Sequence, residues 1–191
     1  MIVGIFCSSR ASALVYEEAV ILVMAVLSSY GISQIAYGGG NNGLMGIVYR
    51  EAIYNEIPII GHNLERWSLP QLDNEIIYTN LTERQNGLMK MSDMYLILPG
   101  GIGTIYELTQ ALCHNDVDRI EKPVVIYNVD HYYDTFLLFL TELVTRKSMD
   151  NDRLFLHIVT TPTELYTTLM ALDQIHKNES PPFCASSPTE L

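Results

Sequence analysis

Positive charge is scarce in this chain: 11 lysines and arginines stand against 22 aspartates and glutamates, for a formal net charge of −11 over 191 residues. A field of that sign repels nucleic acid and anionic membranes, so neither is expected as a partner. Cysteine is scarce too. Cys7, Cys113 and Cys184 are odd in number and spaced for neither a disulfide framework nor a zinc site, which favours reduced thiols and a cytoplasmic setting. The five histidines form no HExxH or other ligand-like pairing, and no metal is expected. Long apolar runs are missing: the longest, Ala19 to Leu27, is far short of the roughly 18 residues a membrane-spanning helix needs and reads as a buried helix. The chain opens on "MIVGIF" with no basic leader or small-residue cleavage pattern, so no signal peptide is expected.

Common catalytic signatures are scarce as well. There is no GxSxG elbow, and the stretch "PGGIGTIYE" is neither the GxGxxG dinucleotide fingerprint nor a glycine loop followed by Lys-Ser or Lys-Thr. Hydrolase-elbow, dehydrogenase and nucleoside triphosphatase readings lose their main support.

What is present is an alternation of short β-branched runs with longer helical stretches, the pattern of a parallel sheet with helices packed on it. Strands are expected at Met1–Cys7, Gln34–Ala36, Ile57–Ile60, Ile76–Tyr78, Met94–Leu98, Pro123–Tyr127 and Ile158–Thr160. Helices are expected at Ala13–Ser29, Gly43–Asn55, Thr82–Met91, Gly103–His114, Tyr132–Arg146 and Pro162–Ala171, with Thr82 and Thr161 as N-caps. The stretch "FLLFL", Phe136–Leu140, is apolar on all sides and reads as core. With 48% hydrophobic residues the chain supports one core, a single domain over about residues 1–175. A Ser- and Pro-rich tail over 176–191 carries almost no apolar pattern and reads as disordered.

Three stretches fall where a strand hands over to a helix: "CSSRAS", "YGGGNNGLMG" and "PGGIGT". In open parallel sheets ligands bind beyond the carboxyl ends of the strands, so these loops converge on one crevice. In "PGGIGTIYE", Gly100, Gly101 and Gly103 let backbone N–H groups approach a ligand, Thr104 offers a hydroxyl, and the helix that follows presents its positive end. A compact anion such as a phosphate suits that arrangement. One such loop is as often only a tight turn; two glycine-rich loops, with four glycines in Gly38–Gly43, shift the balance toward a ligand. Glu107 stands one helical turn after Thr104 and can face the same mouth. A glutamate there commonly does no more than offset the helix dipole, and a lone arginine such as Arg84 is more often a solvated surface residue. The phosphate argument raises Arg84 to a candidate ligand.

Taken together, "YGGGNNGLMG", Glu83-Arg84, "SDMYLILPGGIGTIYE" and "KPVVIYNVDHYYD" resemble the LOG (Lonely Guy) family of cytokinin riboside 5'-monophosphate phosphoribohydrolases, a family also labelled lysine decarboxylase-like. The resemblance runs collinearly from about Val3 to Leu172. It implies a Rossmann-like α/β fold, an open and mostly parallel sheet with helices on both faces, usually as a homodimer. The implied reaction hydrolyses the N-glycosidic bond of a cytokinin riboside monophosphate or AMP and needs no cofactor. No lysine stands in a pyridoxal-phosphate context, so decarboxylation is not expected. By position, the family's catalytic arginine falls on Arg84 and its motif glutamate on Glu107. Its phosphate loop falls on Gly100, Gly101, Gly103 and Thr104. Ser8 and Ser9 of the first loop, with Gly39, Gly40 and Met45 of the second, flank the nucleotide.

The chain departs from the family pattern in three places. Gln85 stands where the family commonly has lysine, which removes a positive charge near the site. Arg10 replaces a small residue in the first loop and could restore that charge. His114 and Asp116 fall within a Trp-Ala-Gln segment of the family, near the dimer contact and the base pocket. Two other functions stay open on these residues: a nucleotide-binding or sensing module with weakened catalysis, and a general nucleoside 5'-monophosphate nucleosidase.

Overall fold

The computed structural model describes residues 1–67, 74–150 and 154–179. Its seven strands are β1 (Ile2–Phe6), β2 (Gln34–Tyr37), β3 (Ile59–Leu64), β4 (Glu75–Tyr78), β5 (Met94–Ile97), β6 (Val124–Tyr127) and β7 (Leu156–Val159). All of them join one sheet in the order β4-β3-β2-β1-β5-β6-β7, and every pairing is parallel. The six α-helices are α1 (Leu14–Tyr30), α2 (Gly43–Tyr54), α3 (Leu81–Met91), α4 (Ile102–Cys113), α5 (Asp134–Thr145) and α6 (Pro162–Glu179). The α/β class and the parallel sheet expected from the sequence are as observed.

Strand residues alternate between two cores because successive side chains of a strand point to opposite faces. Val3, Ile5, Met94, Leu96, Val125 and Tyr127 pack with α1, α2 and α6; Phe6, Tyr95, Ile97, Val124 and Ile126 pack with α3, α4 and α5. Helices therefore cover both faces, as a parallel sheet with near-continuous apolar strands requires. Strand order reverses between β1 and β5, so the loops after these two strands open the crevice where such sheets bind ligands. The Ser8 N–H donates to Pro99 O at 3.1 Å and ties the two loops together.

Several local expectations shift. β3 begins after Pro58 and runs on to Leu64, which brings His62 and Asn63 into the strand. These polar residues are tolerated there because each side chain finds a hydrogen-bond partner: His62 Nδ1 lies 2.9 Å from Tyr78 Oη, and Asn63 Nδ2 donates to the Gly39 backbone carbonyl at 3.0 Å. The N-cap of α3 is Asn80, whose Oδ1 accepts from Glu83 N at 2.9 Å, and Thr82 lies inside the first turn. Thr161 does cap α6, its hydroxyl accepting from Glu164 N at 3.2 Å. That helix runs to Glu179, beyond the end expected at Ala171, while the tail residues 180–191 lie outside the described residues. "FLLFL" is not core all round: Leu140 is buried, whereas Leu138 is 71% and Phe139 58% exposed. The helical period turns positions 138 and 139 away from the sheet when 136, 137 and 140 face it. Within Ala19–Leu27 the same geometry leaves Ile21 and Leu22 about half exposed while the flanking apolar residues are buried.

Candidate active site

Arg84 enters from the first turn of α3 and is 5% exposed, so it is no solvated surface residue. Its guanidinium fork spans three elements. Nε donates to His62 O of β3 at 2.8 Å, Nη2 to Gly38 O just after β2 at 3.1 Å, and Nη1 to the Gln85 Oε1 amide oxygen at 2.6 Å. Nη1 also lies 3.5 Å from Oε1 of Glu107 on α4. The fixed fork of arginine suits this bracing role, which a lysine ammonium could not fill. One consequence falls on the second glycine loop: a Cβ at Gly38 would come within 2.6 Å of Arg84 Nη2.

Glu107 is likewise 5% exposed. Burial pushes its carboxyl up to about 7, against the opposing pull of the Arg84 guanidinium and the nearby Gln85 amide. A carboxyl so placed changes its charge near neutral pH, the range in which a general base or an electrostatic stabiliser of a cation is most useful. Gln85, 1% exposed, is turned by its bond to Arg84 so that Nε2 faces the carboxylate. That nitrogen lies close enough to lower the Glu107 pKa, yet it has no partner in full hydrogen-bond geometry. The residue at 85 thus acts first on Arg84 and Glu107, and the missing lysine bears on the carboxylate more directly than on the glycine loop.

The glycines divide into two groups. At Gly39 the backbone is left-handed (φ +71°), and a Cβ would strike Asn63; at Gly40 it would meet Met45 Sδ at 2.8 Å. The fold's own packing accounts for both, with Met45 lying across this loop and its N–H donating to Ser8 O at 3.1 Å. Gly100 is needed because Thr104 packs on it. Gly101 and Gly103 differ: no atom lies within 4 Å of a Cβ built at either, and neither has positive φ. Both are exposed at the start of α4, where the first N–H groups of a helix lack intrahelical partners. No packing within the described residues demands glycine at either position, and both leave room for close approach to the backbone.

Two residues missed by the sequence reading set this loop. Tyr132 Oη donates to Gly100 O at 2.8 Å, and Tyr133 Oη donates to Leu98 O at 2.7 Å. With these carbonyls held by phenols, the N–H groups of the loop and helix start are left toward the mouth. Both tyrosines belong to "DHYYD", and Asn128 positions them by accepting from Tyr133 N at 2.7 Å. Asn63 was also missed, although its side chain fixes Gly39. A tyrosine pair just after a strand was the only available signal.

The first loop and the far end of α4 contribute differently. Ser8 is part-buried between Pro99 and Met45, while Ser9 and Arg10 are exposed; the Arg10 carbonyl packs against Gly43, where a Cβ would collide with it. His114 and Asp116 lie in a π-helical turn, His114–Asp118, beyond the C-terminal end of α4. From Glu107 to His114 is seven residues, roughly 10 Å along a helix axis, so these two are not brought to the Arg84–Glu107 pair within this chain. Asn115 between them is buried and holds the turn to Lys122 and Leu154. Among the described residues no group of three or more His, Cys, Asp or Glu could hold a metal ion, and no helix is long and apolar enough to cross a membrane.

A family model described as "possible lysine decarboxylase" matches residues 32–169, a stretch that contains both glycine loops, Arg84 and Glu107. The chain belongs to this family, the LOG family. LOG-family relatives include LOG6 of Arabidopsis thaliana, a probable cytokinin riboside 5'-monophosphate phosphoribohydrolase, 33% identical over 73% of this chain and 72% of its own. The rice protein LOGL3 (Oryza sativa subsp. japonica), with the same description, is 30% identical over 73% of this chain and 69% of its own. Among solved structures, the molybdenum cofactor carrier protein of Chlamydomonas reinhardtii superposes with a TM-score of 0.70 at 18% identity, over 91% of this chain and 98% of that one. The molybdenum cofactor binding protein of Rippkaea orientalis gives 0.65 at 21%, over 90% and 96%. At those identities the likeness is one of fold, and it agrees with the LOG-family sheet described above.

Proposed function

We propose that this LOG-family chain hydrolyses the N-glycosidic bond of a cytokinin riboside 5'-monophosphate or of AMP, releasing free base and ribose 5-phosphate. The observation that carries the reading is the buried pairing of Arg84 on α3 with Glu107 on α4, the helix whose N-terminus leaves Gly101 and Gly103 open to a ligand. The relatives' names supply the substrate class. In this reading the 5'-phosphate sits on the N–H groups at the start of α4, which places C1' of the ribose toward Glu107. As the C1'–N bond breaks, positive charge develops on the sugar, and the Glu107 carboxylate stabilises it or takes a proton from the attacking water. Water supplies hydroxide to C1' and the proton that ends on the departing base. Arg84 holds the carboxylate in place.

The direct test is incubation of the purified protein with AMP and with isopentenyladenosine monophosphate, followed by chromatography for base and ribose 5-phosphate. Equal amounts of the two products from either substrate are expected. Absence of base from both would overturn the reading.

The working form of Glu107 is ionised, and burial holds its carboxyl at about 7. The ionised fraction therefore grows as pH rises, and kcat/KM should climb through an apparent pKa near 7 and fall about tenfold per unit well below it. A profile flat from pH 5 to 8 would remove Glu107 from the reaction.

The reading includes a homodimer in the cytoplasm. Exposed Leu138 and Phe139 on α5 support a self-contact, and the free thiols of Cys7 and Cys113 suit a reducing compartment. Light scattering at micromolar concentration should give twice the chain mass; a monomer there would count against the dimer.

A further inference from the structure

We propose that Gln85 is a positioning residue that bridges Arg84 to Glu107 and, being neutral, keeps the carboxylate out of a double-cation ion pair. Its bearing on catalysis rests on the hydrolase reading above; its structural content does not.

The bridge follows from the amide's two ends. Arg84 Nη1 donates to Gln85 Oε1 at 2.6 Å, a charge-assisted bond that fixes the oxygen toward the guanidinium. The Nε2 end is then left free of Arg84, and the Glu107 carboxylate, which shares the Nη1 neighbourhood at 3.5 Å, lies close enough to feel the amide. That nitrogen is among the few buried side-chain polar atoms of the described residues that lack a hydrogen-bond partner. A buried donor left unmade is costly, and a carboxylate is the acceptor at hand. A small rotation of Glu107, whose Oε1 is already 3.5 Å from Arg84 Nη1, completes the bond. Arginine, glutamine and glutamate would then be linked in series, with the amide holding the two charged groups in register.

A lysine at 85 would change this balance. The position is 1% exposed, so an ammonium there could not reach water and would pair with Glu107. Two cations on one buried carboxylate hold it ionised well below neutrality. With glutamine, the charged or titratable groups that face Glu107 are Arg84 from α3, Cys7 from the end of β1 and Tyr133 from the approach to α5. Burial pushes the Cys7 thiol and the Tyr133 phenol up, so both stay neutral near pH 7, and among the described residues Arg84 is the cation that opposes desolvation of the carboxylate.

The test reads Glu107 directly, by carbon-13 NMR titration of carboxyl-labelled full-length protein without substrate. Gln85→Met removes the donor while nearly keeping the shape, and should raise the Glu107 midpoint by about half a unit or more. Gln85→Lys should lower it by about 1–3 units. Opposite shifts support the bridge. If the methionine variant titrates as wild type while the lysine variant shifts, only proximity of charge matters and the bridge is overturned; no shift in either overturns the whole proposal. Should the methionine variant fail to fold, Gln85→Asn, which keeps the amide but falls a methylene short, is expected to raise the midpoint likewise, and an unchanged midpoint there overturns the bridge. The acid limb of kcat/KM should follow the NMR midpoint. A midpoint that moves while the limb does not leaves the bridge standing and defeats the hydrolase role of Glu107.

Discussion

Replacing Glu107 by glutamine is expected to cut turnover of a nucleoside monophosphate by roughly 10²-fold or more while leaving the protein folded and binding its substrate. Glutamine is isosteric and can still accept from Arg84, so the brace across β2, β3 and α3 persists. What disappears is the negative charge that would face a developing ribosyl cation. Stability gives the control. In the folded chain the Glu107 carboxyl is raised from 4.5 to about 7. Its favourable contribution is thus fully present below about pH 4.5 and is lost as pH rises through about 7. The glutamine variant should therefore melt at or above the wild-type temperature at pH 8. Unchanged turnover in a folded variant would sink the assignment; lost turnover with a lowered melting temperature at pH 8 would point to structural damage instead.

The second large effect concerns the 5'-phosphate. AMP should be cleaved with a kcat/KM on the order of 10²-fold or more above adenosine, since each charge-assisted hydrogen bond from a helix start to a phosphate contributes about 1.5–3 kcal/mol. The chain's net charge of −11 repels an anion at long range, so affinity must come from local donors. Tyr132 and Tyr133 hold the Gly100 and Leu98 carbonyls away from the mouth, and Gly101 and Gly103 leave its floor without side chains. Binding at this non-reacting end also orients C1' against Glu107, so loss of the phosphate should depress kcat as well as raise KM. Comparable kcat/KM values for adenosine and AMP, measured at one salt concentration and pH, would refute a phosphate role for the loop.

Much of this was legible in the residues. The alternation of β-branched runs and amphipathic stretches determined a parallel sheet with helices between its strands, because each period buries apolar surface in only one type of element. The placement of three loops after strands, two of them glycine-rich, determined that they would gather at one sheet end. Apolar sequence was less informative about exposure: "FLLFL" shows composition without saying which side of α5 meets the sheet, and Leu138 and Phe139 fall on the outer side.

Only the tertiary structure decided the site. Arg84 and Glu107 are 23 positions apart on different helices, and no local rule says that one will brace two strands and still reach the other at 3.5 Å. The roles of the glycines were equally hidden. Gly38, Gly39 and Gly40 are fixed by Arg84, Asn63 and Met45, neighbours that the fold brings in, whereas Gly101 and Gly103 have no neighbour to explain them. Gln85 read as a lost charge in the sequence. In the fold it is a buried amide between a guanidinium and a carboxylate, because desolvation and hydrogen-bond direction depend on what surrounds a residue in space, which the order of residues along the chain does not state.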